Sequence, residues 1–233
     1  MFAIYKRELK AYFQTPIGYI VVAAFFFFLG LFFTVVYSQG SPKIAYVVTS
    51  ISTIAVFTIP ILTMRLMSED RRQKVDQALL TAPVSLTGIV LGKFFAALSV
   101  FAIGLIPTIA FEGIIMSYVS VNILEYLYAL LGIILLGAVL ISIGMFISSL
   151  TESSVVSGIL ALVINILITY MSGFSSMVSK QWLVKVLDKL AIMTAFENFS
   201  TNYFSIENII YFVSITAIFL FLSVRSLERR RWA

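Results

Sequence analysis

The side chains in this sequence that could do chemistry are few, and many of them stand in one run. It reads Ser68-Glu69-Asp70-Arg71-Arg72-Gln73-Lys74-Val75-Asp76-Gln77-Ala78-Leu79-Leu80-Thr81-Ala82-Pro83-Val84-Ser85. The chain has no cysteine and no histidine. That excludes thiolate and imidazole metal sites, cysteine and serine–histidine nucleophiles, disulfides and the usual near-neutral proton switch. The 11 aspartates and glutamates are scattered over 233 residues, which argues against a dedicated hydrolytic centre. Gly92-Lys93 is a partial echo of a phosphate-binding loop. That loop needs a glycine five residues before its Gly-Lys pair and a serine or threonine after it. Thr87 and Phe94 hold those positions, so the chain is expected to have no nucleotide site of its own.

Three polar residues stand inside apolar stretches and are candidates for lining a pathway: Glu112, Asn165 and Thr169. A charge at mid-membrane costs about 2.5–3.5 kcal/mol on insertion scales, so such residues usually face a bundle interior or water. Glu112 lies only six residues from Tyr118, near the end of its apolar run, where the cost is smaller. Asn165 and Thr169 are one helical turn apart, and plain helix–helix hydrogen bonding would also explain them. Asn198-Phe199-Ser200 matches an N-glycosylation acceptor, a pattern common by chance.

The charged run has its own helix signals. Ser68 suits an N-cap, and Glu69 and Asp70 fall in the first turn, where the helix dipole favours anions. Val75, Ala78 and Leu79 are spaced i, i+3 and i+4, an apolar stripe on a charged helix. Pro83 disfavours helix at Ala82, so the helix is expected to stop near Leu80. Ser85 can then cap a further helix that enters the membrane after Lys93.

These residues are carried by an apolar framework. The chain is 61% hydrophobic and 12% charged, against roughly 45–50% and about 25% in soluble domains. A membrane-spanning helix needs about 20 mostly apolar residues. Six such stretches are expected: Ile17–Tyr37, Ala45–Met67, Phe94–Tyr118, Tyr126–Leu150, Val155–Phe174 and Ile209–Val224. A cleaved signal peptide is a poor reading of the first, because the apolar run is long and no small-x-small site follows it. The fold class predicted is therefore all-α, a single polytopic domain over residues 1–233. Residues 1–16 form a short lead-in, and two long connections, 68–93 and 175–208, separate the tight turns. Within the second, Trp182, Leu183, Val186, Leu187 and Leu190 share one helical face, opposite Lys185, Asp188 and Lys189. That pattern predicts a short amphipathic helix at the interface before the last span. Pro60 and Pro107 would kink their helices, and Gly132, Gly137 and Gly144 suit close packing.

Orientation follows from the basic residues. One set of loops holds Lys6, Arg7, Lys10, Arg65, Arg71, Arg72, Lys74, Lys93, Arg225, Arg229, Arg230 and Arg231, which is 12 of the 16 lysines and arginines. The other set holds Lys43, Lys180, Lys185 and Lys189. The richer side is predicted to be cytoplasmic, with both termini and the 68–93 loop on it and 175–208 outside. This accounts for the net charge of +5 without nucleic acid as a partner. A stand-alone secondary transporter or channel would call for a repeat or intramembrane charge pairs, and neither is clear. An intramembrane enzyme is poorer still.

The run Glu69…Arg71…Leu79-Leu80-Thr81-Ala82-Pro83-Val84-Ser85…Val90-Leu91-Gly92-Lys93 resembles the first cytoplasmic loop of ABC-2 type permeases. There the pattern is an acidic residue and an arginine, polar positions, LL-T-x-P-[VI]-S, then a Gly-Lys pair opening the third helix. Lys6-Arg7-Glu8-Leu9, Tyr12-Phe13 and Thr15-Pro16 are similar to the lead-in of the family's gliding-motility-type branch. The resemblance extends over the whole chain. It implies a cell-membrane permease subunit, an exporter by the family's habit, that does no bond chemistry. It would pair with a second permease half, itself or a related chain, and with two cytoplasmic ATP-binding subunits that hold the ATP and magnesium. A partner with an extracytoplasmic domain is a further expectation. A membrane scaffold in a larger complex is the alternative within that branch. The ATPase-coupling residues implied are Glu69, Arg71, Lys74, Val75, Asp76, Ala78, Leu79, Leu80, Thr81 and Pro83, on a coupling helix resting on the ATPase.

Overall fold

Each long apolar run of the sequence forms a helix, because a backbone surrounded by hydrocarbon must satisfy its own hydrogen bonds. The computed structural model describes residues 1–38, 44–74, 85–118, 123–171, 173, 192–200 and 205–231. Among the described residues there are ten helices and no strand: α1 (Phe2–Gln14), α2 (Pro16–Ser38), α3 (Ile44–Thr63), α4 (Ser68–Arg72), α5 (Leu86–Gly104), α6 (Pro107–Tyr118), α7 (Ile123–Leu150), α8 (Ser154–Thr169), α9 (Ile192–Ser200) and α10 (Ile206–Arg231). The all-α class is as expected.

Among the described residues five stretches are long and apolar enough to cross a membrane: Pro16–Ser38, Val47–Arg72, Leu86–Tyr118, Ile123–Leu150 and Ile206–Arg229. The sixth expected span is shorter than predicted. α8 is apolar but ends at Thr169 after 16 residues, about 24 Å of helix against a hydrocarbon core of about 30 Å. The amphipathic helix expected over Lys180–Leu190 lies outside the described residues. A different short helix is present before α10: α9 buries Ile192, Phe196 and Phe199, one face at i, i+4 and i+7.

In the third span two local expectations are met, a cap at Ser85 and a break at Pro107. The Ser85 hydroxyl accepts from the Gly88 N–H at 3.2 Å, and the helix that carries the span starts at Leu86, ahead of the expected apolar stretch from Phe94. Lys93 therefore lies two turns inside α5. The span is also interrupted. Pro107 has no N–H to donate, and the chain crosses the gap with tighter bonds, Leu105 N to Ala102 O at 3.1 Å and Ile106 N to Ile103 O at 3.2 Å. Pro60, in contrast, sits within a continuous α3.

The core gathers around α7, which packs on α3, α5, α8, α9 and α10. Small residues let the helices approach. A Cβ on Gly137 would lie 2.3 Å from the Phe101 ring, and one on Gly144 would lie 2.2 Å from Thr63 Oγ1. α2 and α10 are the least buried of the long helices, and their exposed apolar side chains suit lipid.

Candidate functional site

Polar side chains converge where the lead-in helix α1 meets the start of the charged loop. α1 buries Ile4 and Tyr12 and lies along α5. Gly92 makes this possible, since a Cβ there would sit 3.0 Å from Ile4 Cγ2 and 3.1 Å from the Met1 carbonyl. The Tyr5 hydroxyl bonds Ser99 Oγ at 3.0 Å. The Tyr12 hydroxyl donates to the Leu62 carbonyl at 2.8 Å. Burial, with the charge of Glu8 adding to it, pushes the Tyr12 phenol well above its ordinary range.

At the centre of this junction is Lys93, 1% exposed. An ammonium group has three N–H donors, and Lys93 Nζ has three acceptors: Asp70 Oδ2 at 2.7 Å, Leu66 O at 2.7 Å and Glu8 Oε1 at 3.1 Å. Arg7 pairs with the same two carboxylates, closely with Glu8 and at 3.8 Å with Asp70. Two cations and two anions from α1, α4 and α5 thus form one neutral group. A lysine can be buried this deeply only because its charge is matched and its donors are filled.

α4 is held from its other side too. Ser148 Oγ of α7 accepts from the Met67 and Ser68 N–H groups, both at 3.1 Å, and donates to the Met64 carbonyl at 3.1 Å. Ser68 was expected to cap this helix. It is instead the first helical residue, with Met67 at the N-cap position. The Ser68 hydroxyl donates back to the Met64 carbonyl, and the capping oxygen comes from α7. Arg71 reaches the Leu150 carbonyl at 3.3 Å and Glu152 at 2.8 Å, beside the α7–α8 turn. Glu69 pairs with Arg65 at 3.6 Å and accepts from Gln73 at 3.1 Å. A cleft of about 340 Å³ opens between α1 and the segment from the end of α3 through α4, lined by Arg7, Tyr12, Arg65, Leu66, Glu69 and Gln73 among others.

The continuous helix expected from Ser68 to Leu80 is not formed. It stops at Arg72, and Lys74 takes a left-handed φ of 56°, which a right-handed helix cannot contain. Val75, Asp76, Ala78, Leu79, Leu80, Thr81 and Pro83 lie outside the described residues. Of the candidate coupling residues, the structure brings Glu69 and Arg71 into the junction and places Lys74 at its edge.

The candidate pathway residues lie elsewhere. Glu112 is buried on α6, and Asn165 and Thr169 are buried on the face of α8 that also carries Ser157. Among the described residues none of these four side chains has a hydrogen-bond partner. α6 packs on α2 and α3, whereas α8 packs on α3 and α7, so α3 stands between the two groups.

Sequence reading missed the partners at the junction: Glu8, Asp70 and Lys93 as one ion cluster, and Ser148 as a cap supplied from another helix. Lys93 did carry a signal, as a lone cation between apolar residues four positions on either side. Gly92-Lys93 lies within α5, and the Lys93 ammonium spends its donors on Asp70, Leu66 and Glu8. Among the described residues no group of three or more acidic side chains is placed to hold a metal ion.

Comparison with known proteins gives one family. The model described as ABC-2 type transporter matches residues 1–204, which takes in everything from α1 to α9. Comparison with curated proteins finds no match.

Proposed function

Since this chain belongs to the ABC-2 type transporter family, we propose that it is one membrane half of an ATP-driven exporter, energised by separate cytoplasmic ABC ATPase subunits. Membership makes it the permease component of an ABC transporter. The rest is our reading: the coupling to ATP, the outward direction, a second permease half that is a copy or a relative, and a place in the gliding-motility-type branch. An extracytoplasmic partner protein fits the same reading.

The observation that carries it is the junction around Lys93. A subunit that borrows its energy must receive a partner's motion through a segment firmly tied to its helices. The charged loop begins on α4, and α4 is bonded to α1 and α5 through Asp70, to α7 through Ser148, and to the α7–α8 turn through Arg71. A push on the loop therefore reaches several helices at once. Both termini lie at this end of the bundle, since α1 joins the junction and the Ser226 hydroxyl of α10 donates to the Ser149 carbonyl at 3.4 Å. Most of the lysines and arginines fall on the same side, which is how we place it in the cytoplasm. Lys93 spends all its donors inside the chain, in keeping with ATP and magnesium being held by the partners.

The contact with the ATPase would be made by Glu69, Arg71, Lys74, Val75, Asp76, Ala78, Leu79, Leu80, Thr81 and Pro83. Apolar anchors carry most of the affinity in groove recognition. Leu79→Asp is expected to cost about 2 kcal/mol or more of ATPase binding if Leu79 is such an anchor, with membrane insertion intact. The measurement is copurification of the ATPase and transport-coupled hydrolysis, beside a Gln73→Ala control. Wild-type binding and coupling in both variants would reduce this loop to a solvated connector.

A further inference from the structure

Glu112 is 3% exposed, and among the described residues neither of its carboxylate oxygens has a partner. It stands on α6, the half-helix that follows the interruption at Leu105 and Ile106. Thr108, one turn earlier on the same face, is fully buried, and so nearly is Tyr126 of α7. The bonds of these two hydroxyls can be assigned. Thr108 has one hydroxyl proton, and it goes to the Leu105 carbonyl at 2.7 Å. In the 3.1 Å contact between Thr108 Oγ1 and the Tyr126 hydroxyl, tyrosine must then be the donor. The donor chain runs from Tyr126 to Thr108 to Leu105. Neither of these two hydroxyl protons is left for Glu112, and among the described residues no other donor reaches it.

Among the described residues of the helices packed on α6 no cation is at hand either. α2 and α3, the helices packed on α6, carry no lysine, arginine, aspartate or glutamate along their lengths. Tyr37 of α2 stacks on Phe33, which stacks on Phe111 next to Glu112. α7 contributes the neutral phenol of Tyr126 and the carboxylate of Glu125, which is close enough to act on Glu112 through its charge and can only repel it. A bare carboxylate in such a place has nothing to stabilise it. A metal ion would want about six oxygen ligands, and one carboxyl group with two committed hydroxyls falls far short. A single hydrogen ion answers the charge and needs no cavity.

We propose that Glu112 is an intramembrane proton-binding site, exchanging with the aqueous phase at the end of the bundle opposite the termini. The carboxylate takes a proton from a hydronium ion arriving at that end, releasing water, and returns it by the reverse step. The protonated carboxyl group then supplies the one donor the site lacks. Glu112 is about 9 Å along the helix from its end at Tyr118, and the interruption before Pro107 lets α6 shift apart from α5. The site does not depend on the coupling role proposed for the loop.

The test uses a membrane-soluble carbodiimide, which modifies carboxyl groups in apolar surroundings only while they are protonated. Membranes holding the full-length chain are treated from mildly acidic to mildly alkaline pH, and the adducts are mapped by peptide mass spectrometry. An adduct is expected at Glu112, absent in Glu112→Gln, and falling about tenfold per pH unit above its midpoint. Helix content of the purified protein is checked for every variant. No adduct in a folded protein, or an adduct that does not vary with pH, overturns the proposal. Suppression by sodium or potassium at constant pH overturns it in favour of a metal-ion site. Lys43 lies outside the described residues, so Lys43→Gln is included. Labelling of Glu112 that appears only in that variant would mean an ion pair, and would also overturn it.

Discussion

At the scale of single residues, Lys93 shows how an apolar chain tolerates a buried charge. Its ammonium group is matched by Glu8 and Asp70 and filled by the Leu66 carbonyl. Removing one partner of a buried ion group costs about 3–5 kcal/mol, because the remaining charges stay desolvated. Lys93→Met is expected at the lower end of that range, since Arg7 still touches both carboxylates. Adding Glu8→Gln should recover part of the loss, as one of the two stranded charges is then gone. Thermal unfolding of the single and double variants in detergent would check this, and wild-type stability in Lys93→Met would rule the cluster out as a support. Asn165 and Thr169 are the opposite case: among the described residues both are buried without partners, and none joins them to Glu112.

At the scale of elements, the informative piece is α4, which at five residues has too few hydrogen bonds of its own to persist alone. It is kept by neighbours, and the Ser148 hydroxyl is the most economical of them, serving the Met67 N–H, the Ser68 N–H and the Met64 carbonyl. Ser148→Ala strands two buried amides. The expected cost is about 1–3 kcal/mol, concentrated on α4, so hydrogen exchange should speed up at residues 67–72 and little at the centre of α7. Uniform exchange across both helices would mean that α4 does not depend on this cap. Position in the sequence says nothing of this, for Ser148 is about eighty residues from the amides it serves. The same holds for Gly137 and Gly144, whose use is visible only against Phe101 and Thr63.

At the scale of the whole molecule, α1, α4, the start of α5 and the turn after α7 share one end. This arrangement fits both termini lying on one side of the membrane. The orientation itself rests on the lysine and arginine count and can be tested directly, because the chain has no cysteine of its own. A single cysteine at Gln73 should resist an impermeant thiol reagent in intact cells, and one at Lys185 should react. The reverse pattern would invert the proposed topology.

Composition and the lengths of apolar runs decided the class of this protein, since 61% hydrophobic residues in long runs have no soluble arrangement. The start of α5 was legible for the same local reason: Ser85 acts within one turn of itself. The charged loop and the lead-in could be picked out by residue type and matched to a family. Their meeting could not, because Glu8, Asp70 and Lys93 are far apart in the chain and pairing depends on which helices become neighbours. The early end of α4 also belongs to the fold: the i, i+3, i+4 spacing of Val75, Ala78 and Leu79 favoured helix, yet the backbone turns at Lys74. The buried state of Glu112 is likewise tertiary, for its distance along the span suggested an interface position, and only the packing of α2, α3 and α7 around α6 removes it from water. Sequence determined what each stretch would become; which polar groups are matched, and which are left for a proton, was decided by the packing of the helices.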